Sequence, residues 1–317
     1  MLSTEIETAV AILREGGLVA FPTETVYGLG ADATNPRALI KIFQVKQRPQ
    51  DHPLIVHMAD SPQLSSWAEV TPKALCLAKA FWPGPLTLIL PKAPGVSDLI
   101  TGGQTTVGVR VPRHPVAHAL LMAFGGGVAA PSANRFGRIS PTTAAAVREE
   151  LGNAVDQVLE GGQCAVGVES TIVDLTGEQA VVLRPGMITA HDIALVLQEE
   201  VATHKKNAPR VSGSLELHYA PTTRTVVLTP ALLPAYLNNL AVDEKPLGLL
   251  TRSLSLVAGP SIDVVRMPMD PVAYAHELYQ TLRDLDKKDL RQIVIEAVPE
   301  DMAWAAIRDR LQRASRR

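Results

Sequence analysis

The sequence predicts an α/β protein built as two domains. Short apolar, β-branched runs alternate with helix-patterned segments along most of the chain, as expected of strands covered by helices. The alternation breaks near residue 203, in a stretch of mixed charge, Gly, Ser and Pro, and resumes beyond it. A length of 317 residues also exceeds the ~250 to 300 at which single cores stop growing.

The first strand is expected at LVAF (18–21). Asn35-Pro36 then opens a helix, setting a capping side chain before a proline at the first helical position, and Leu39, Ile40 and Phe43 give that helix an apolar face. Arg48-Pro49 ends it, because a residue before proline is pushed out of the α region. PLIVH (53–57) reads as a strand, Thr71-Pro72 opens a second helix, and LTLIL (86–90), TVGVRV (106–111) and GVAA (127–130) are further strands. Ser140-Pro141 carries the same start signal and predicts another helix there. STIVDL (170–175) and VVLR (181–184) are strands, and TAHDIALVLQEEV (189–201) is a closing helix.

These elements make a first domain over 1–202. Residues 203–223, THKKNAPRVSGSLELHYAPTT, follow neither the helical nor the strand period and read as a linker. A smaller α/β domain over 224–317 follows, within the usual domain size of ~50 to 250 residues. Its signals are TRTVVL (223–228), LGLLT (247–251), DVVRM (263–267), a helix from Asp270-Pro271 with Leu278, Leu282 and Leu285 on one stripe, QIVIEAV (292–298) and a terminal helix.

Composition narrows the class of protein. A chain 46% hydrophobic and 20% charged, without eighteen consecutive apolar residues, is expected to be globular and not to cross a membrane. The opening MLSTEIETAV carries acids rather than a basic-then-apolar signal, so a cytoplasmic location is expected. Cys76 and Cys164 are too few for a disulfide framework or a cysteine-rich zinc site. With a net charge of −2, anionic ligands must be met by local clusters.

Several motifs lack the context their chemistry needs. GLGADA (28–33) satisfies G-x-G-x-x-A, yet PTETVY precedes it and the next helix waits for Pro36, so no nicotinamide or flavin site is expected. His114 and His118 have metal-ligand spacing, but no glutamate follows His114 and no third ligand is evident. Ser132 and Ser170 lack a nucleophile elbow and an assignable base, which favours hydrogen-bonding roles.

A distribution is more informative: polar groups recur where apolar strands end. Thr23, Glu24 and Thr25 follow LVAF; Lys46 and Arg48 precede PLIVH, which closes on His57; Arg110 lies in TVGVRV. Ser132 and Asn134 follow GVAA, Glu169 and Ser170 open STIVDL, and Arg184 closes VVLR. Ligand sites in α/β sheets form at strand ends, so one shared pocket is expected, in which Lys46, Arg48, Arg110 and Arg184 suit a polyphosphate and a carboxylate. The alternative at this stage is four unrelated surface cations.

FPTETVYGLG, KQRPQDHPLIVH, FWPGPLTLIL, TTVGVRVP, APSAN and GVESTIVD…LRPG, in that order, closely resemble the threonylcarbamoyl-AMP synthase family, over about residues 5–200. HYAP (218–221) before a smaller α/β domain resembles the family's two-domain form. The resemblance implies a YrdC-like twisted open-sheet catalytic domain and a Rossmann-like C-terminal domain. It also implies synthesis of L-threonylcarbamoyl-AMP from L-threonine, bicarbonate or CO₂, and ATP with Mg²⁺, releasing pyrophosphate. A separate transferase complex would then carry the threonylcarbamoyl group to tRNA.

By the same resemblance Lys46, Arg48, Ser132 and Asn134 fall at ATP-phosphate positions, with Lys46 and Arg48 catalytic. Thr106, Ser140, Arg184 and Tyr219 fall at nucleotide positions, and Thr23, His57, Arg110 and Ser170 at threonine positions. The metal ligands are not implied by any motif. The 203–223 linker is expected to act as a lid, with Tyr219 on the nucleotide. A rival from another class is a double-stranded RNA-binding module without ATP turnover, and weak RNA binding is compatible with either reading.

Overall fold

The computed structural model describes residues 2–203, 208–213, 218–239, 246–253 and 262–315. Two compact units emerge, one of Met1–Phe136 with Ser140–Ser214, the other of Gly137–Ile139 with Leu215–Arg317. No helix among the described residues is long and apolar enough to cross a membrane.

The first unit holds a mixed nine-stranded sheet. Its strands are β1 (Val19–Phe21), β2 (Gly28–Asp32), β3 (Ile55–His57), β4 (Leu86–Pro91), β5 (Thr106–Arg110), β6 (Val128–Ala129), β7 (Gln157–Val158), β8 (Thr171–Asp174) and β9 (Val181–Arg184). They lie in the order β7-β1-β2-β6-β3-β5-β4-β8-β9. β2 is the GLGADA segment, so its glycines serve packing. A Cβ at Gly30 would stand 2.8 Å from the Phe21 ring and 2.9 Å from Val128.

Of the three cap-and-proline signals predicted in this unit, two act as expected. Asn35 accepts from the amides of Arg37 and Ala38 at the start of helix Pro36–Lys46, which buries Leu39, Ile42 and Phe43, and Thr71 caps helix Pro72–Phe81. Ser140-Pro141 does not open a helix. The hydroxyl of Ser140 donates to Glu169 instead, and the helix starts at Ala144, with Thr143 accepting from the Ala146 amide. Helix Leu2–Arg14, which strand and cap signals leave out, packs Ile6, Ala9, Val10 and Leu13 against Val116, Ala117, Leu120 and Leu121.

The second unit is a four-stranded parallel sheet of β10 (Thr225–Leu228), β11 (Leu247–Thr251), β12 (Ile262–Arg266) and β13 (Gln292–Glu296), in the order β10-β13-β11-β12. Helix Pro271–Asp286 buries the predicted Leu278, Leu282 and Leu285. Parallel strands need crossover connections, which accounts for the alternation of strand and helix in this part of the sequence.

Candidate active site

Strand register puts four of the predicted residues, His57, Thr106, Arg110 and Arg184, on one face of the larger sheet. Side chains alternate along a strand, and His57 stands opposite Arg110, Gly108 opposite both Ile55 and Ile89, and Ile172 opposite both Thr87 and Arg184. The intervening Val56, Leu88, Val107, Val109, Val173 and Val182 enter the main core on the opposite face. Sequence reasoning placed the polar groups at strand ends. The structure adds that TVGVRV, read every second residue, sends Thr106 and Arg110 to the site face and its valines to the core.

One group forms around Arg110. Its Nη1 donates to Thr25 Oγ1 at 2.9 Å, its Nε to the Gly84 carbonyl at 3.3 Å, and its Nη2 lies 2.8 Å from Glu24 Oε1. Thr25 in turn meets Thr23 Oγ1 at 2.8 Å, and the Thr23 hydroxyl donates to the Val26 carbonyl. Glu24 Oε2 accepts from the Arg113 amide. Burial raises the Glu24 carboxyl, but Arg110 and the backbone donors more than reverse this and hold it below its usual value. Burial first, then the Arg110 charge, pushes His57 down to about 3, so the imidazole is neutral at pH 7.

A second group is cationic. Lys46 Nζ donates to the carbonyls of Ser132, at 2.6 Å, and Asn134, and the Phe136 amide donates to the Lys46 carbonyl. Burial and the neighbouring Arg48 hold the Lys46 ammonium well below its ordinary value. Arg48 donates to the Pro53 carbonyl at 2.9 Å and to Ser212 Oγ at 3.2 Å, and stacks over Phe136. Arg184 donates to the carbonyl of Ser212 at 3.0 Å, and to the carbonyl and hydroxyl of Ser170, whose Oγ meets Thr87 Oγ1 at 2.8 Å. Ser212 therefore bridges Arg48 and Arg184.

The four cations are not surface groups: Lys46 is 1% exposed, Arg48 7%, Arg110 4% and Arg184 4%. Such burial requires compensating partners, and suits a small enclosed anion rather than a nucleic-acid backbone. Thr106 lines a cleft with Pro53, Ile55, Ile89, Ile172 and Ser212. Ser140 donates to Glu169, the neighbour of Ser170. Tyr219 belongs to the second unit, where its ring is buried with a left-handed backbone, stacked on Tyr279 and covered by Arg310.

Parts of the predicted linker, residues 204–207 and 214–217, lie outside the described residues. Residues 208–213 form a strap on the first unit. Val211 is buried against Ile89 and Ile172, and Arg210 bonds the Gly102 carbonyl and Gln104. Ser212 carried no signal in the sequence. Thr87 did, as a lone hydroxyl in the apolar run LTLIL, and it is fully buried.

Comparison with known proteins follows the same division of the chain. A family model described as telomere recombination matches residues 11–186, and one described as threonylcarbamoyl-AMP synthase, C-terminal domain, matches 188–316. The chain is 38% identical to a threonylcarbamoyl-AMP synthase of Pyrococcus abyssi over 98% of its own length and 94% of the relative's. It is 39% identical to one of Bacillus subtilis over 98% and 93%. The crystal structure of P. abyssi Sua5 complexed with L-threonine superposes with a TM-score of 0.88, at 38% identity, covering 98% of this chain and 94% of that one. E. coli YciO, at 29% identity and a TM-score of 0.52, covers 59% of this chain and 90% of its own.

Proposed function

The chain belongs to the threonylcarbamoyl-AMP synthase family in its two-domain form, and from that premise we propose that the sheet face built around Arg110 and Arg184 is where it makes L-threonylcarbamoyl-AMP. The enzyme is an ATP-using nucleotidyltransferase with L-threonine as its second substrate. Bicarbonate or CO₂ supplies the carbamoyl carbon and pyrophosphate leaves. The product is destined for a tRNA-modifying transferase complex.

The observation that carries this reading is the shared face, with the Arg110 guanidinium beside a neutral imidazole at one end and Arg184, joined to Arg48 through Ser212, at the other. Thr23, His57, Arg110 and Ser170 would hold threonine. Lys46, Arg48, Ser132, Asn134 and Arg184 would hold the nucleotide, with Thr106, Ser140 and Tyr219 as further nucleotide positions. Two of the three ammonium donors of Lys46 fix the carbonyls of the Ser132–Asn134 loop, leaving one for a phosphate oxygen.

The threonine amine adds to CO₂ to give a carbamate, whose oxygen attacks the α-phosphorus as pyrophosphate departs. The protein orients the two substrates, excludes water and offsets charge on the leaving group. Mg²⁺ enters as part of the substrate, MgATP. It commonly takes one or two carboxylates and keeps its remaining ligands from phosphate and water, and among the described residues no three His, Cys, Asp or Glu side chains form a metal cluster.

The strap at 208–213 would act as the lid. It touches both guanidiniums of the phosphate end, so its seating reports on the nucleotide and shields a labile mixed anhydride from water. RNA binding without turnover is less well supported, because the cations a phosphate backbone would need are buried.

The test is pyrophosphate release from ATP that requires both threonine and bicarbonate, with labelled carbonate recovered in an adenylate. Release of inorganic phosphate, or turnover indifferent to threonine, would overturn the assignment.

A further inference from the structure

Just downstream of the Ser132–Asn134 loop the chain changes unit for three residues. Ser132, Asn134 and Phe136 are held by Lys46 in the first unit, whereas Gly137–Ile139 fold with the second. Each of the three is gripped there. The Gly137 carbonyl accepts from the Ala220 amide of HYAP at 3.0 Å, and the Ile139 carbonyl accepts from the buried Arg283. Arg138 donates to Thr222 Oγ1 and, at 3.3 Å, to Asp286 Oδ2. Asp286 also accepts from the amides of Thr222 and Thr223, at 2.8 and 2.7 Å. It is the last residue of helix Pro271–Asp286, where the backbone dipole disfavours an anion. Burial raises its carboxyl as well, but the Thr222 and Thr223 donors, then Arg138, more than reverse this and hold it below its usual value. The scheme above gives this grip no task.

We propose that Arg138 is a positioning residue for the nucleotide, and that the second unit serves the reaction by holding the phosphate loop through Arg138 and Asp286. Loop Ser132–Phe136 and segment Gly137–Ile139 are one unbroken run of chain, so an anchor on the segment restricts the loop. With Lys46 as its sole anchor the loop would pivot at Gly137, whose φ of +81° only glycine adopts without strain. Fixing the three residues beyond that pivot removes the freedom. A loop ordered before ATP arrives spends none of the binding energy on its own ordering. The Arg138 side chain is 35% exposed, so it adds little to a core; what it fixes is the course of the backbone.

This inference rests on the proposed nucleotide positions of Ser132 and Asn134, and the test separates the two. Calorimetry on the full chain measures the affinities of ATP and of L-threonine. Arg138→Met and Asp286→Asn should each weaken ATP about tenfold, the worth of one hydrogen bond to a charged group, and leave L-threonine within about twofold. Because the two residues form one tether, the double variant should bind ATP no worse than the weaker single variant. Arg138→Lys, which keeps a cation for Asp286, should recover most of the affinity. Wild-type ATP affinity in Arg138→Met, with only the second unit's urea transition moved, would reduce the pair to a fold contact and overturn the proposal. Losses that add in the double variant, equal weakening of threonine, or no recovery in Arg138→Lys would overturn it equally. Should Asp286→Asn not fold, the Arg138 variants, at a partly exposed position, decide alone. A wild-type protein that binds no ATP sinks the underlying functional reading instead, and this inference with it.

Discussion

Replacing Lys46 by Met tests whether this buried ammonium holds the phosphate loop together. The substitution keeps most of the aliphatic stem and removes the donor that the Ser132 and Asn134 carbonyls share. A buried acceptor left unpaired costs ~1–3 kcal/mol, so the two together cost ~2–6 kcal/mol. Relief from burying a charge offsets part of that loss, leaving a net destabilisation of about 2–4 kcal/mol. At ~2–4 °C per kcal/mol for a unit of this size, calorimetry should record a fall in Tm of ~5–15 °C. Pyrophosphate release should drop by ~10²–10³ in kcat, the usual effect of removing one key electrostatic contact. A variant melting within ~1 °C of wild type would show that the two carbonyl contacts are not structural, and retained turnover would also remove Lys46 from the chemistry.

Further outcomes follow from the same geometry. Between pH 6.5 and about 3 the unfolded chain binds a proton on His57 that the folded protein refuses, so stability falls as pH drops through that window. His57→Gln lacks this term, and urea titrations should find its pH slope shallower by up to ~1.4 kcal/mol per pH unit; parallel slopes would mean that His57 titrates normally. Val211→Ser should unseat the strap and shorten the lifetime of the adenylate while the sheet stays folded, and an unchanged lifetime would remove the strap from the lid role. Tyr219→Ala is a poorer probe of the lid, because loss of a ring buried beside Tyr279 and Arg310 should cost ~3–5 kcal/mol in the second unit, readable as an earlier urea transition. Gly30→Ala, with its new methyl against Phe21 and Val128, should cost ~1–3 kcal/mol by thermal melting; a neutral result would mean that the strand has room there.

Much of the candidate site was legible residue by residue, but its layout was not. Asn35 and Thr71 acted as the caps their spacing predicts, because a cap is a local hydrogen bond between neighbours in sequence. Ser140 carried the same signal and failed, because Glu169, twenty-nine residues away, took its hydroxyl. GLGADA has the spacing of a dinucleotide fingerprint without its context, and in the structure it forms β2, paired with β1 and β6, whose side chains fill the space a Cβ would need. Thr87 was visible as a polar residue in an apolar strand, whereas nothing in the linker singled out Ser212 as the bridge between two guanidiniums.

By itself the sequence determined the class of fold, the two-part organisation and the kinds of chemical group available, since these rest on periodicity, caps and ordered motifs that neighbouring residues set. Only the tertiary structure decided which groups meet. Register put His57 beside Arg110, and chain folding brought Glu24 within 2.8 Å of a guanidinium eighty-six residues downstream. The physical reason is that hydrogen bonds and ion pairs act over a few ångströms of space. Strand pairing sets that distance, and residue spacing along the chain does not encode it.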